Sequence, residues 1–158
     1  MRLRTVLPAA LLASLLLHAG DTPRERATLK GAKVVGVVVE PMPDDLPKLG
    51  VTADALQARL AGRLRDAGIP LDDSATEFIG LRVASARETR GPYAVVVRLG
   101  FYQAVTLVRD PTVRAAPETW AEETVLMAAP KMVFRTCVDG IDDLADRFIA
   151  AWRSANPQ

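Results

Sequence analysis

Between Ile79 and Leu107 the apolar side chains recur at every second position. Ile79, Leu81 and Val83 alternate with Gly80, Arg82 and Ala84, and then Tyr93, Val95, Val97, Leu99, Phe101, Val105 and Leu107 keep the same step. A period of two places successive side chains on opposite faces, which describes strands buried on one face only, the usual state of an antiparallel sheet. Arg90-Gly91-Pro92 separates a first strand from a second running from Tyr93 to Val108, with Gly100 as a bend or bulge. Asp110-Pro111-Thr112 supplies a turn before a third strand around Thr119 to Met127.

The segments on either side of this meander follow other rules. Val34, Val35, Val37, Val38 and Val39 form a nearly continuous β-branched run, as in a strand covered on both faces, so this strand is expected inside the sheet. Pro41, Pro43 and Pro47 end it. A helix is predicted over 52–67: Thr52 caps it, Asp54 lies in its first turn, and Leu56, Leu60 and Leu64 make one apolar line. Gly68, Ile69 folding back on Leu64, and Pro70 close it. A longer helix starts near Pro130, with Phe134, Val138, Ile141, Ala145, Phe148 and Trp152 as its buried stripe. Gly140, unfavourable by about 1 kcal/mol against alanine, is expected either to admit a strand close by or to allow a slight bend. The order β-α-β-β-β-α makes an α/β (α+β) two-layer sandwich, a mostly antiparallel sheet with the long C-terminal helix packed on it.

Residues 1–20 read as an export signal: Arg2 and Arg4 precede the apolar run Val6 to Leu17, and His18-Ala19-Gly20 is a short exit. Val6 to Ala19 is 14 residues with Pro8 inside, short of the roughly 20 that a membrane span needs. No transmembrane span is expected once the signal is removed. A lipid anchor would need a cysteine where Asp21 stands, so none is expected. Asp21 to Lys30 is polar and contains Pro23, so residues 21–32 are expected to be a flexible leader before a single domain over 33–158. The expected location is exported, periplasmic or extracellular.

Once the signal is set aside, 18 basic residues face 19 acidic ones, which gives no electrostatic footprint for nucleic acid. The only histidine, His18, lies in the signal. With one cysteine and no imidazole, the usual zinc ligands are missing, and no metal or cofactor is expected. Cys137 cannot form an internal disulfide; either it bonds another chain or it is a small buried apolar residue, the reading its helical spacing with Phe134, Val138 and Ile141 favours. The acid pairs Asp44-Asp45, Asp72-Asp73 and Asp142-Asp143 are poor catalytic pairs, because neighbours on a strand or helix diverge. Ser74, Ser85 and Ser154 have no histidine base and no elbow motif. No catalytic residue is therefore assigned.

Leu60 to Pro70, together with Tyr93, Gln103, Thr119-Trp120 and Asn156-Pro157, resembles a segment pattern of uncharacterised exported bacterial α/β domains of unknown function. The resemblance implies export and fold and no activity. By element order the chain also resembles small envelope modules such as the amino-terminal domain of the Tol-system propeller protein and penicillin-binding-protein activators.

Tyr102, Gln103, Arg109 and Trp120 are the candidate partner-binding residues, an aromatic and arginine set near strands that suits a protein surface. Trp120 and Tyr102 equally suit a place under the final helix with Phe148 and Trp152. The expected function is an exported, non-catalytic envelope protein that binds a protein partner through a sheet face or edge. The alternatives are a small secreted hydrolase using Asp or Glu, which requires converging carboxylates of raised pKa, and a carrier of small apolar ligands, which requires an enclosed cavity.

Overall fold

A computed structural model describes residues 21–157; residues 1–20, expected from sequence to be an export signal, lie outside the described residues. The chain forms α1 (Pro23–Thr28), β1 (Gly36–Val39), α2 (Ala53–Asp66), β2 (Phe78–Arg87), β3 (Tyr93–Tyr102), β4 (Val105–Leu107), β5 (Asp110–Ala115), β6 (Glu118–Ala128) and α3 (Val133–Ala155). A four-stranded sheet runs β1-β2-β3-β6, and β4 with β5 is a separate ribbon. The main sheet is mixed: β1 lies parallel to β2, because α2 carries the chain back to the same end, while β2, β3 and β6 are antiparallel. Among the described residues no helix is long and apolar enough to cross a membrane.

The expected two-layer α+β architecture is present, with α2 and α3 on one face of the sheet. α2 matches its sequence signals at both ends. The Thr52 hydroxyl accepts from Ala55 N–H at 3.3 Å, Gly68 takes φ +80°, and Ile69, itself buried, donates its N–H to Leu64 O at 3.0 Å. Glycine is required at that left-handed position. At Gly140 a Cβ would stand 2.9 Å from Leu126 Cδ1 and 3.2 Å from Val97 Cγ2. The absence of a side chain there lets α3 settle directly on β3 and β6.

Five expectations are corrected. The leader is a helix: Thr22 and Glu25 form a reciprocal capping box with Pro23 in the first turn, and Leu29 just after it is fully buried. β1 is an edge strand, not an interior one; Val35 and Val37 enter the core, while Val38 is 45% exposed on the far face. Only one face of the run, Val35, Val37 and Val39, joins the core. The strand expected to reach Val108 stops at Tyr102, where the register with β6 slips, and the chain leaves the sheet to make the β4–β5 ribbon. Its turn falls at Val108-Arg109, since Leu107 already pairs with Asp110; Asp110 instead folds locally, accepting from Thr112 N–H at 3.1 Å. In α3 the buried stripe is Val133, Cys137, Ile141, Leu144, Phe148 and Trp152, whereas Phe134 is 42% exposed and Val138 half-buried, beside α2.

Cys137 is fully buried, as its spacing suggested. Burial pushes its thiol up to about 11, from an ordinary value near 9.0. The folded chain thus holds this proton more tightly than the unfolded one. The stability this confers is complete below about pH 9 and is lost as pH rises from about 9 to 11, by about 2 kcal/mol. Urea titrations at pH 8 and pH 11 check this, because Cys137→Ala should show a smaller drop between the two; an identical drop would show that the thiol contributes nothing.

Candidate functional site

α2 and α3 cover one face of the sheet, and among the described residues no helix covers the other. Cross-strand register organises that open face into rows. Toward the β2–β3 turn, Ala86 pairs with Ala94 and Ala94 with Met127; the next row is Ala84, Val96 and Val125. Both rows are apolar from β2 to β6, and Val125 and Met127 are each 64% exposed. Scattered surface apolar residues are normal, but two contiguous rows on an uncovered face form a patch.

The third row is charged. Arg82 pairs with Arg98 and Arg98 with Glu123 across the strands, and each arginine is held by carboxylates. Arg82 Nε donates to Glu40 at 2.7 Å. Arg98 Nε donates to Glu118 Oε2 at 3.2 Å, its NH2 group to Glu118 Oε1, and its NH1 group to Glu123 at 3.4 Å. The hydrogen bond from Arg98 to Glu118 raises the guanidinium pKa. Opposite charges on adjacent strands support the sheet, and these side chains are partly exposed, so each pair adds only a fraction of a kcal/mol.

Two glycines then make room for a flat aromatic and acidic layer. A Cβ at Gly80 would lie 2.7 Å from Tyr102 Cε2, and one at Gly100 would overlap the Glu118 carboxylate. Tyr102 therefore lies across Gly80 and stacks on Phe78, with ring centroids 4.9 Å apart and planes 6° from parallel. Its hydroxyl donates to Glu118 Oε2 at 3.1 Å. Desolvation, followed by the Glu118 charge, raises the Tyr102 pKa, so the phenol stays protonated as a donor.

The four residues singled out from sequence do not converge. Tyr102 lies on the open face. Arg109 is at the exposed tip of the β4–β5 ribbon, beside the fully exposed Val108. Trp120 points the other way, is 1% exposed, and meets Phe148 edge-on at 5.1 Å under α3. Gln103 is engaged in structure, its Nε2 donating to Thr28 O at 3.2 Å and to Thr119 Oγ1 at 2.7 Å. Trp120 and Gln103 thus dock α1 against β6. Trp120 Nε1 donates to Asp21 at 3.0 Å, and Asn156 donates to Leu29 O at 3.0 Å from the end of α3.

The functional-face residues that sequence reasoning missed are Val125, Met127 and Val96. Their alternation was visible, but an outward apolar residue reads as ordinary surface until its cross-strand neighbours are known.

The acid pairs do not assemble into a catalytic centre. Asp142 faces Arg59 and Arg63 on α2, while Asp143 takes Arg147 at 2.8 Å. Asp72 accepts from Ser74 Oγ at 2.7 Å and Ser74 N–H at 2.8 Å, bonds that lower its pKa. The same local turn lowers Asp110, through Thr112. A general acid needs the opposite displacement. Among the described residues no group of three histidine, cysteine or carboxylate side chains is placed to hold a metal ion.

No protein-family model matches the chain, and no curated protein does. Solved structures similar to it include a PelC dodecamer from Paraburkholderia phytofirmans, 14% identical over 72% of this chain and 83% of that one, with a TM-score of 0.44. A minor lipoprotein from Acinetobacter baumannii is 14% identical over 76% of this chain and 91% of that one, with a TM-score of 0.26.

Proposed function

We propose that this chain is an exported, non-catalytic envelope domain that acts by protein contact through the helix-free face of its sheet. Export rests on the basic, apolar and short polar succession of residues 1–20. The observation that carries the contact reading is the pair of apolar rows ending in Val125 and Met127, exposed on the uncovered face and bordered by the Arg82, Arg98 and Glu123 row. An apolar centre with an arginine and carboxylate rim is the anatomy of a protein interface: the centre supplies desolvation, the rim orientation. The rim here is already internally paired, so it is held in place before a partner arrives.

A photo-activated cross-linking residue placed at Val96 in living cells should give one reproducible protein adduct, and the same residue at the exposed Ala150 on α3 should give none. Val125→Asp combined with Met127→Asp should lower the adduct yield about tenfold, the effect of losing one well-packed anchor. Equal labelling from both positions, or a yield unchanged by the two aspartates, would refute the reading.

A further inference from the structure

The free part of β6 has a length and a pattern that suit a second copy of itself. β6 is an edge strand, and such edges are normally blocked. α1 is docked only at the start of this strand: Thr28 Oγ1 donates to Thr119 Oγ1 at 3.2 Å, and Trp120 Nε1 donates to Asp21 just before α1 at 3.0 Å. From Glu123 to Ala129 no described strand pairs with this edge, and Pro130, which has no N–H, stops any ladder at the far end. That interval holds no proline and no lysine, and its single charge, Glu123, is paired with Arg98.

We infer that two copies of this chain pair antiparallel through β6, about a two-fold axis at Leu126, joining their sheets into one. α1, docked at Thr119, and Pro130 bound the free stretch of this edge. In this register Val125 of each copy faces Met127 of the other on the open face, Thr124 faces Ala128 on the helix side, and Glu123 faces Ala129. Apolar cross-strand pairs of this kind stabilise a sheet, while like charges directly opposite destabilise it. Centring on Val125 would set Glu123 against Met127, and centring on Glu123 would oppose it to itself. Pairing about Leu126 also makes the apolar rows of the two copies continuous, which doubles the contact face. The inference rests on the reading of that face and its edge as a contact surface.

Sedimentation equilibrium of the full chain, purified as the cell exports it, should give twice the single-chain mass at micromolar concentration. Val125→Lys with Met127→Lys, both at exposed positions, should give the single-chain mass while the chain still unfolds cooperatively, its thermal midpoint no longer dependent on concentration. In a Cys137→Ala background, Val125→Cys together with Met127→Cys should form an inter-chain disulfide under mild copper oxidation, and Val125→Cys alone should not. A single-chain mass for the unmodified protein, a doubled mass indifferent to the lysines, or cross-linking by Val125→Cys alone would each overturn the inference. A single-chain protein that still yields its Val96 adduct would overturn self-pairing only and leave the contact-surface reading in place.

Discussion

Replacing Trp120 by alanine is expected to destabilise the fold by about 3–5 kcal/mol, the range for emptying a buried indole site. Against a total of about 5–15 kcal/mol for a domain of this kind, that is roughly a fifth or more of the stability. The indole is 1% exposed and packs edge-on against Phe148, which in turn touches Phe101 and Trp152, so the lost volume lies at the centre of the aromatic cluster under α3. A second contribution is polar: Trp120 Nε1 donates to Asp21, whose carboxylate also holds Arg26, and Asp21 sits at φ +61°. A non-glycine residue keeps that conformation only where its surroundings enforce it. Trp120→Phe, which keeps much of the volume and removes the donor, should therefore lose only about 1–2 kcal/mol. It should also loosen α1 selectively. Urea denaturation measures the first effect, and amide exchange over Pro23–Leu29 measures the second. An alanine variant within 1 kcal/mol of the native chain would mean that the cluster does not carry the sheet–helix interface.

Arg147→Ala is expected to lower stability by about 2–3 kcal/mol, much more than an ordinary surface arginine. Glu122 is 4% exposed on the helix side of β6, opposite Leu99, and Arg147 NH1 reaches it at 3.1 Å while NH2 holds Asp143 at 2.8 Å. Removing the guanidinium strands a buried carboxylate. Because Arg147 is itself 38% exposed, the lower part of the range for breaking a buried pair applies. Replacing both partners, Glu122→Leu with Arg147→Leu, should recover most of the loss, since neither desolvated charge then remains. Thermal midpoints of the three variants check this; equal losses for the single and double variants would show that packing, not charge burial, sets the effect.

Glu122 also shows how far the sequence could be read. The turn at Asp110-Pro111-Thr112 placed a strand around Thr119 to Met127, but an acidic residue within it cannot be recognised as buried until α3 brings Arg147 over it. Trp120 and Tyr102 illustrate the same limit from the other side. Both are aromatics near the end of a strand; the register slip at Phe101 and Tyr102 leaves Trp120 facing α3 and Tyr102 facing Glu118. No local pattern separates the two fates. α1 is a different case, because its capping box of Thr22, Pro23 and Glu25 was legible in the sequence. Polar composition outweighed it, and what keeps so short a helix folded is distant: Gln103, Thr119, Trp120 and Asn156.

By itself the sequence determined the local elements: α2 with both of its ends, the alternating strands β2, β3 and β6, the long amphipathic α3, the close approach at Gly140 and the burial of Cys137. These depend on period, caps and side-chain volume, all short-range properties. Only the tertiary structure decided that β1 stands at an edge, that α1 docks at the start of β6, and that Ala84, Ala86, Ala94, Val96, Val125 and Met127 form one apolar surface that no described helix covers. The physical reason is that strand order and cross-strand register join residues of separate segments, Val96 with Val125 and Ala94 with Met127, and no property of either segment alone records which neighbour it will meet.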